Sequence, residues 1–384
     1  MMNYFSKRRR SFVILLLFLS LLLFSYQIYP YSKIYFEKYD PVKYEQKFLK
    51  SQWRVPQSKN VISDEDLYTY AAYEYVRGAN PILINPETPH LGKYLIGLSI
   101  ILFNNQRVMS LFIALFSLVF IYRIILMKTK SDLSASIAVF LVILNTTFVD
   151  QLIHSPQLDI YQLMFFLMTS FFFLKFSKSK KKSDIFLAGI FYGSMLSTKF
   201  FFQTLILTTL LFTIFSLITY KSKFIWVKKF VLLNIVGFLI YTLSNLAFFL
   251  HGGTIRGFLG MQKWILVLYK STSIDLSRIM GGYLGLIFIN KYRFWSDGYP
   301  VVSYQSWSIF WPIIFLCGMI LAIFYLIRKG SDKTEVFFSI WILIYAIFLI
   351  FVPIFPRYLL MLFIPQIILI VFYVDKYIIN KKNT

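Results

Sequence analysis

Three consecutive carboxylates, Asp64, Glu65 and Asp66, open a tyrosine-rich stretch, DEDLYTYAAYEYV, in a chain that is otherwise dominated by apolar runs. Charges beside hydrocarbon are costly, so such a cluster must either be used in chemistry or be paired. The spacing predicts a helix from Asp64, with Leu67, Tyr70, Ala71 and Glu74 on one face. Acids at a helix start also complement its dipole, and this accounts for part of the pattern without any chemistry. A turn-forming segment, Gly78 to Pro89, follows, with Lys93 just beyond it. A second lone acid, Asp159, stands at the mouth of an apolar run, Lys199 interrupts another, and Arg357 begins a third.

The elements that must position these groups are membrane spans. The chain of 384 residues is 58% hydrophobic and 20% aromatic, which excludes a soluble globular domain of this length. Its apolar runs are continuous rather than alternating, which excludes a membrane β-barrel. The expected fold is all-α: a polytopic transmembrane helical bundle of about ten spans, one integral membrane domain over 1–384. Spans are expected at 11–28, 107–127, 133–149, 160–176, two within 185–219, 230–250, 308–327, 335–352 and 358–374. The run 185–219 is too long for one span, and Lys199 at its middle predicts a turn there, since a mid-span charge is costly to insert. Residues 91–103 are apolar but short and suit an interfacial helix.

The net charge of +23 is explained by basic loops on the cytoplasmic side rather than by nucleic acid. Lys7 to Arg10, the cluster Lys178 to Lys182, Lys221 to Lys229, Arg328 to Lys333, and Lys376, Lys381 and Lys382 mark that side. Two long segments, 30–106 and 251–306, are then extracytoplasmic, and the expectation is that they pack together over one cavity. The single cysteine, Cys317, permits no intramolecular disulfide. The histidines at 90, 154 and 251 show no metal-ligand spacing, so no cofactor is expected, the alternative being a divalent metal bound with Asp159.

At Asp64-Glu65-x-x-Tyr68 and Asn85-Pro86-Glu87-x-Pro89-x-Leu91-Gly92-Lys93 the chain resembles the first luminal loop of protein O-mannosyltransferases and lipid A aminoarabinose transferases. These are GT-C glycosyltransferases that use polyprenyl-phosphate sugars. The likeness continues in order through Ser155-x-x-Leu158-Asp159, Gly189-x-x-x-Gly193 with Ser197-Thr198-Lys199, Ser306-Trp307-Ser308-x-x-Trp311-Pro312, and Pro356-Arg357-Tyr358-Leu359 through Pro365. It covers roughly residues 60–365. There are departures. No arginine precedes Leu158-Asp159, where His154 and Ser155 stand nearby, and His90 replaces a second proline. No C-terminal sugar-binding domain is evident, which suggests a prokaryotic cell-membrane type.

The resemblance implies transfer of a hexose-like sugar, such as mannose, from a polyprenyl-phosphate donor to an extracytoplasmic protein, glycan or lipid acceptor, with inversion. The leaving phosphate has a second pKa of ~6 and departs without a general acid, so one carboxylate suffices as base. A hydrolase would bracket the bond with two. By resemblance Asp64 is the base and Glu65 an orienting partner. Lys93, Lys199 and Arg357 are the candidate phosphate-binding cations, with Arg256 and Lys263 weaker candidates, and Asp159 and His90 support the site. Two other classes fit a charged membrane bundle: a transporter or lipid-carrier flippase, whose broken helices usually come in repeats that are not evident here, and a non-catalytic scaffold.

Overall fold

The structure, a computed structural model, describes residues 2–55, 57–220, 223–271, 276–293 and 300–379. Lys221, Lys381 and Lys382, and parts of the 251–306 segment, therefore lie outside the described residues. The longer helices in chain order are α1 (Met2–Ile28), α2 (Pro41–Leu49), α3 (Asp64–Val76), α4 (Leu91–Phe103), α5 (Val108–Thr129), α6 (Asp132–Leu144), α7 (Thr146–Ile153) and α8 (Leu158–Ser179). They continue as α9 (Lys182–Leu196), α10 (Phe201–Thr219), α11 (Lys223–Ser244), α12 (Ile255–Ser271), α13 (Gly282–Ile289), α14 (Phe310–Ile327), α15 (Lys333–Ile350) and α16 (Leu360–Val374). Among the described residues there is no β-strand, only an isolated bridge between Tyr292 and Val302.

Among the described residues, eight helices are long and apolar enough to cross a membrane, or nine if the pair α6 and α7, bent by 58°, counts as one span. The chain is thus a multi-pass membrane protein, with slightly fewer full spans than the ten expected. The difference lies at α9, whose 15 residues rise only ~22 Å at ~1.5 Å each, short of a ~30 Å hydrocarbon core. The expected 133–149 span is the bent pair. At the bend, the Asn145 side chain accepts a hydrogen bond from the Thr147 amide at 3.0 Å and so starts a new helix.

Burial sorts the helices. α8 is buried on nearly all sides, with Ile160, Leu163, Leu167 and Leu174 fully enclosed, and it forms the centre with α15 and α16. Helices α1, α5, α10, α11 and α14 turn large apolar side chains outward, among them Phe18, Phe116, Ile206, Ile235 and Ile320. In water such a surface would aggregate; facing lipid it needs no cover.

Small residues set the close approaches that place the site. A Cβ on Gly193 of α9 would lie 2.5 Å from the Gly237 carbonyl oxygen of α11, and one on Gly189 would lie 2.8 Å from Val236. The Gly-x-x-x-Gly segment is therefore a close helix contact that fixes where α9 ends. A Cβ on Gly92 would meet Leu158 at 2.6 Å, so the glycine lets α4 reach the start of α8.

One end of the bundle is tied by ion pairs of basic residues, Lys128 with Glu335 at 3.2 Å and Lys178 with Asp332 at 3.9 Å. At the opposite end the start of α8, the break between α9 and α10, and the Pro356–Leu359 turn before α16 converge with α3.

Candidate active site

Ser63 caps α3, its hydroxyl accepting from the Asp66 amide at 3.2 Å, so the three acids occupy the first helical turn. Successive residues there point about 100° apart, and the acids accordingly go to three different partners. Asp66 pairs outward with Lys47 at 2.7 Å. Glu65 accepts from the Gln157 side-chain amide. Asp64 Oδ2 meets Arg357 Nη2 at 2.5 Å.

Arg357 joins Asp64 to a second, deeper pair. Its Nε lies 3.6 Å from Asp159 Oδ2, and Asp159 Oδ1 accepts from Lys199 Nζ at 2.6 Å. Four of the residues singled out from the sequence thus form one chain of alternating charge, Asp64–Arg357–Asp159–Lys199, drawn from four separate segments. Exposure is graded along it: the side chain of Lys199 is 2% exposed, that of Asp159 6%, that of Arg357 13% and that of Asp64 42%. Only the Asp64 end of this chain is open enough to meet an incoming group. The chain is also framed by aromatic rings. Lys199 Nζ is 4.7 Å from the ring centres of both Phe200 and Tyr358, and the Arg357 guanidinium is 4.8 Å from that of Phe355. The break that carries Lys199 is held by Gln162, which donates to the Lys199 carbonyl at 3.2 Å and to Thr204 Oγ1 at 2.8 Å.

Lys93 and His90 lie on a neighbouring part of the site. α3 ends at Gly78, whose φ of 90° reverses the chain. The returning loop is pinned by Tyr75, which donates to the Asn85 carbonyl at 2.8 Å, and by Lys93, which donates to the carbonyls of Asn85 at 2.8 Å and Thr88 at 2.9 Å. The buried Lys93 ammonium is thus engaged by backbone oxygens rather than by a carboxylate. His90 stands edge-on to Tyr75, with ring centres 5.4 Å apart, and is buried.

The pinned loop brings in a carboxylate that the sequence reading quoted within a motif but did not single out, Glu87. Burial, then repulsion from Asp64, pushes its carboxyl above the ordinary glutamate range, while Lys93 and a hydrogen bond from Tyr269 oppose the rise. Its sequence signal is an acid set between two prolines directly before an apolar helix. Tyr269 belongs to α12, so the segments 64–90 and 251–271 do meet here, around a cleft. The tryptophan motif is placed differently. Ser306 bonds to Asp150 at 3.2 Å and Trp311 to Thr146 at 3.1 Å, fastening α14 to α7. Arg256 is exposed, and neither it nor Lys263 joins the charge chain. Among the described residues no three His, Cys, Asp or Glu side chains cluster as metal ligands.

Residues 87–248 match the family model described as dolichyl-phosphate-mannose-protein mannosyltransferase. The matched segment contains Glu87, Lys93, Asp159 and Lys199, and leaves Asp64 and Arg357 outside it. The chain is similar in structure to ArnT from Cupriavidus metallidurans in the apo state, with a TM-score of 0.54 at 14% identity over 82% of this chain and 55% of that one. Against the same protein bound to undecaprenyl phosphate the TM-score is 0.57 at 12% identity, over 95% of this chain and 60% of that one. The chain therefore spans a little over half the length of those ArnT chains. No curated protein sequence matches it. The resemblance carried by the motifs is supported on two counts: residues 87–248 match that family model, and the fold is similar to that of ArnT, a GT-C protein.

Proposed function

We propose that the chain is a membrane glycosyltransferase that takes a sugar from a polyprenyl-phosphate donor and passes it, with inversion, to an acceptor hydroxyl outside the cytoplasm. The observation that carries this reading is the graded charge chain. A half-exposed Asp64 is held by Arg357, behind which Asp159 and Lys199 are buried. Asp64 takes the acceptor proton as the acceptor oxygen attacks the anomeric carbon. The bond from that carbon to the phosphate oxygen breaks, and the departing phosphate keeps the electron pair. Cations beside the leaving group stabilise the charge that develops. Arg357, with Lys199 behind it, supplies positive charge on this side, and Lys93, buried against the carbonyls of Asn85 and Thr88, is a further candidate phosphate-binding cation. A guanidinium presents five N–H donors, so Arg357 can hold two carboxylates and still offer donors to a phosphate. Glu65, tethered to Gln157, steadies the first turn of α3.

Sidedness follows from charge. The basic residues gathered around Lys128, Lys178 and Lys333 mark the cytoplasmic end. The carboxylate site at the other end, with segments 30–106 and 251–306, is then extracytoplasmic.

The test is turnover. Purified protein supplied with a polyprenyl-phosphate hexose and a membrane extract should release polyprenyl phosphate in step with glycosylation of a protein, glycan or lipid. Movement of the intact donor across the bilayer, with no cleavage of the sugar–phosphate bond, would instead favour a flippase.

A further inference from the structure

Helix α2 stands on the side away from the cytoplasmic lysines, yet its open face is basic. Residues 31–60 carry seven Lys and Arg against three Asp and Glu. The rule that gathers lysines at the cytoplasmic ends of spans gives no reason for them here. The fold collects them. Tyr44 and Phe48 are buried and fasten the helix: Tyr44 stacks on Tyr39 with ring centres 5.2 Å apart, and Phe48 on Tyr70 of α3 at 4.5 Å. Lys43, Lys47 and Lys50 recur at helical spacing on the side these rings leave open, and all three are exposed. With Asp40, Val42 and Gln46 they line a shallow cavity of about 360 Å³. The chain after α2 folds back on its end, where Ser58 donates to the Lys50 carbonyl at 2.5 Å, and this places the exposed Arg54 and Lys59 there too.

The neighbouring acids leave this positive charge in excess. Asp40 caps the helix and accepts from the Lys43 amide at 3.1 Å. Asp66 takes Lys47 at 2.7 Å. Glu45, two residues from Lys43, points about 160° away from it. Lys43 and Lys50 pair with no acid among the described residues and are open to an anion from outside.

The level of α2 identifies that anion. Tyr39, just before the helix, donates its amide to the Asn104 carbonyl at 2.8 Å, and Gln106 donates to the Tyr44 hydroxyl at 2.7 Å. Asn104 and Gln106 lie between α4 and Val108, where the α5 span begins. The helix is thus tied to the level at which a span enters hydrocarbon. Val42 and Leu49, 58% and 46% exposed, stand beside Lys43 and Lys50 on the open side. Apolar side chains and lysines offered together at this level match a lipid surface, whose acyl chains take the former and whose headgroup phosphates take the latter. A soluble polyanion would leave Val42 and Leu49 in water.

We propose that α2 is a docking surface for anionic phospholipid headgroups of the extracytoplasmic leaflet, held by Lys43 and Lys50, and that it seats the helix carrying Asp64 on the bilayer. The coupling is direct, because α2 packs on α3 through Phe48 and Tyr70 and holds its first turn through Lys47 and Asp66. The proposal rests on the sidedness given above and not on the chemistry at Asp64.

The experiment uses the full-length protein in lipid nanodiscs, with Cys317→Ser removing the native thiol and a fluorophore attached at Gln46→Cys beside the two lysines. Quenching is measured with phosphatidylglycerol or phosphatidylcholine carrying a spin label near the top of the acyl chain, and its dependence on lipid composition gives the relative association constant of the two lipids at this face. Phosphatidylglycerol should be favoured by about tenfold, the scale expected of two lysines near an anionic surface. Adding Lys43→Gln and Lys50→Gln should bring the ratio close to one, while quenching by labelled phosphatidylcholine persists and shows that the helix is folded and in place. Equal association of the two lipids before those substitutions, or a preference that survives them, overturns the proposal. Absence of quenching by either lipid also overturns it, and a fluorescence response to added inorganic polyphosphate would then assign the face to a polyanionic acceptor instead.

Discussion

Replacing Asp64 by Asn is expected to lower sugar transfer by about 10²- to 10⁴-fold, the range associated with loss of a general base. Asparagine keeps the size of the side chain, and its carbonyl oxygen can still accept from Arg357, so the geometry around Arg357, Asp159 and Lys199 survives. Donor binding should therefore be nearly unchanged, and the loss should appear in kcat. Glu65→Gln should cost much less, because Glu65 faces Gln157 and not the charge chain. Asp66→Asn should be close to silent, since its partner is the exposed Lys47. Full activity in Asp64→Asn together with an inactive Glu65→Gln would move the base by one position. Full activity in all three would remove the carboxylate mechanism.

Arg357→Gln is expected to reduce transfer by about 10²-fold or more, through two effects on one side chain. The variant releases Asp64 from its 2.5 Å partner, and it leaves the buried Asp159 with Lys199 alone. Breaking a buried charge network typically costs about 3–5 kcal/mol, so a clear fall in thermal stability should accompany the loss of activity. Arg357→Lys should recover part of the stability and little of the activity, because one ammonium cannot span two carboxylates as a planar guanidinium does. The kinetic split is informative. A fall mainly in kcat marks Arg357 as the group that positions Asp64. A rise in donor KM with kcat preserved would make it a phosphate ligand only.

Much of this arrangement was legible in the sequence because charge in an apolar chain is conspicuous. Lys199, in the middle of a run too long for one span, announced the break that the structure shows between α9 and α10. Asp159 and Arg357 stood at span starts, and the acid run at 64–66 announced a helix start. The sequence could not show which acid points where, since helix phase and the packing of α3 decide that. Nor could it pair Asp64 with a residue 293 positions away. Lys93 reads as an anchor or a phosphate ligand, and only the folded loop reveals that its ammonium engages the carbonyls of Asn85 and Thr88. Glu87 was hidden for a related reason: its burial is created by α12, far along the chain. The span count of about ten is close to the eight or nine of the structure, and the details differ where hydropathy is continuous but helix geometry is not, at the short α9 and at the bend capped by Asn145.

The central claim is that a single carboxylate drives direct displacement at a lipid-linked sugar, and the anomeric configuration of the product tests it most directly. A donor of defined anomeric configuration, incubated with purified protein and an acceptor, gives a glycoside whose configuration can be read by proton NMR. A single displacement assisted by Asp64 predicts the anomer opposite to that of the donor. A product of the same configuration would require a covalent intermediate with a second carboxylate acting as nucleophile, and would contradict the account.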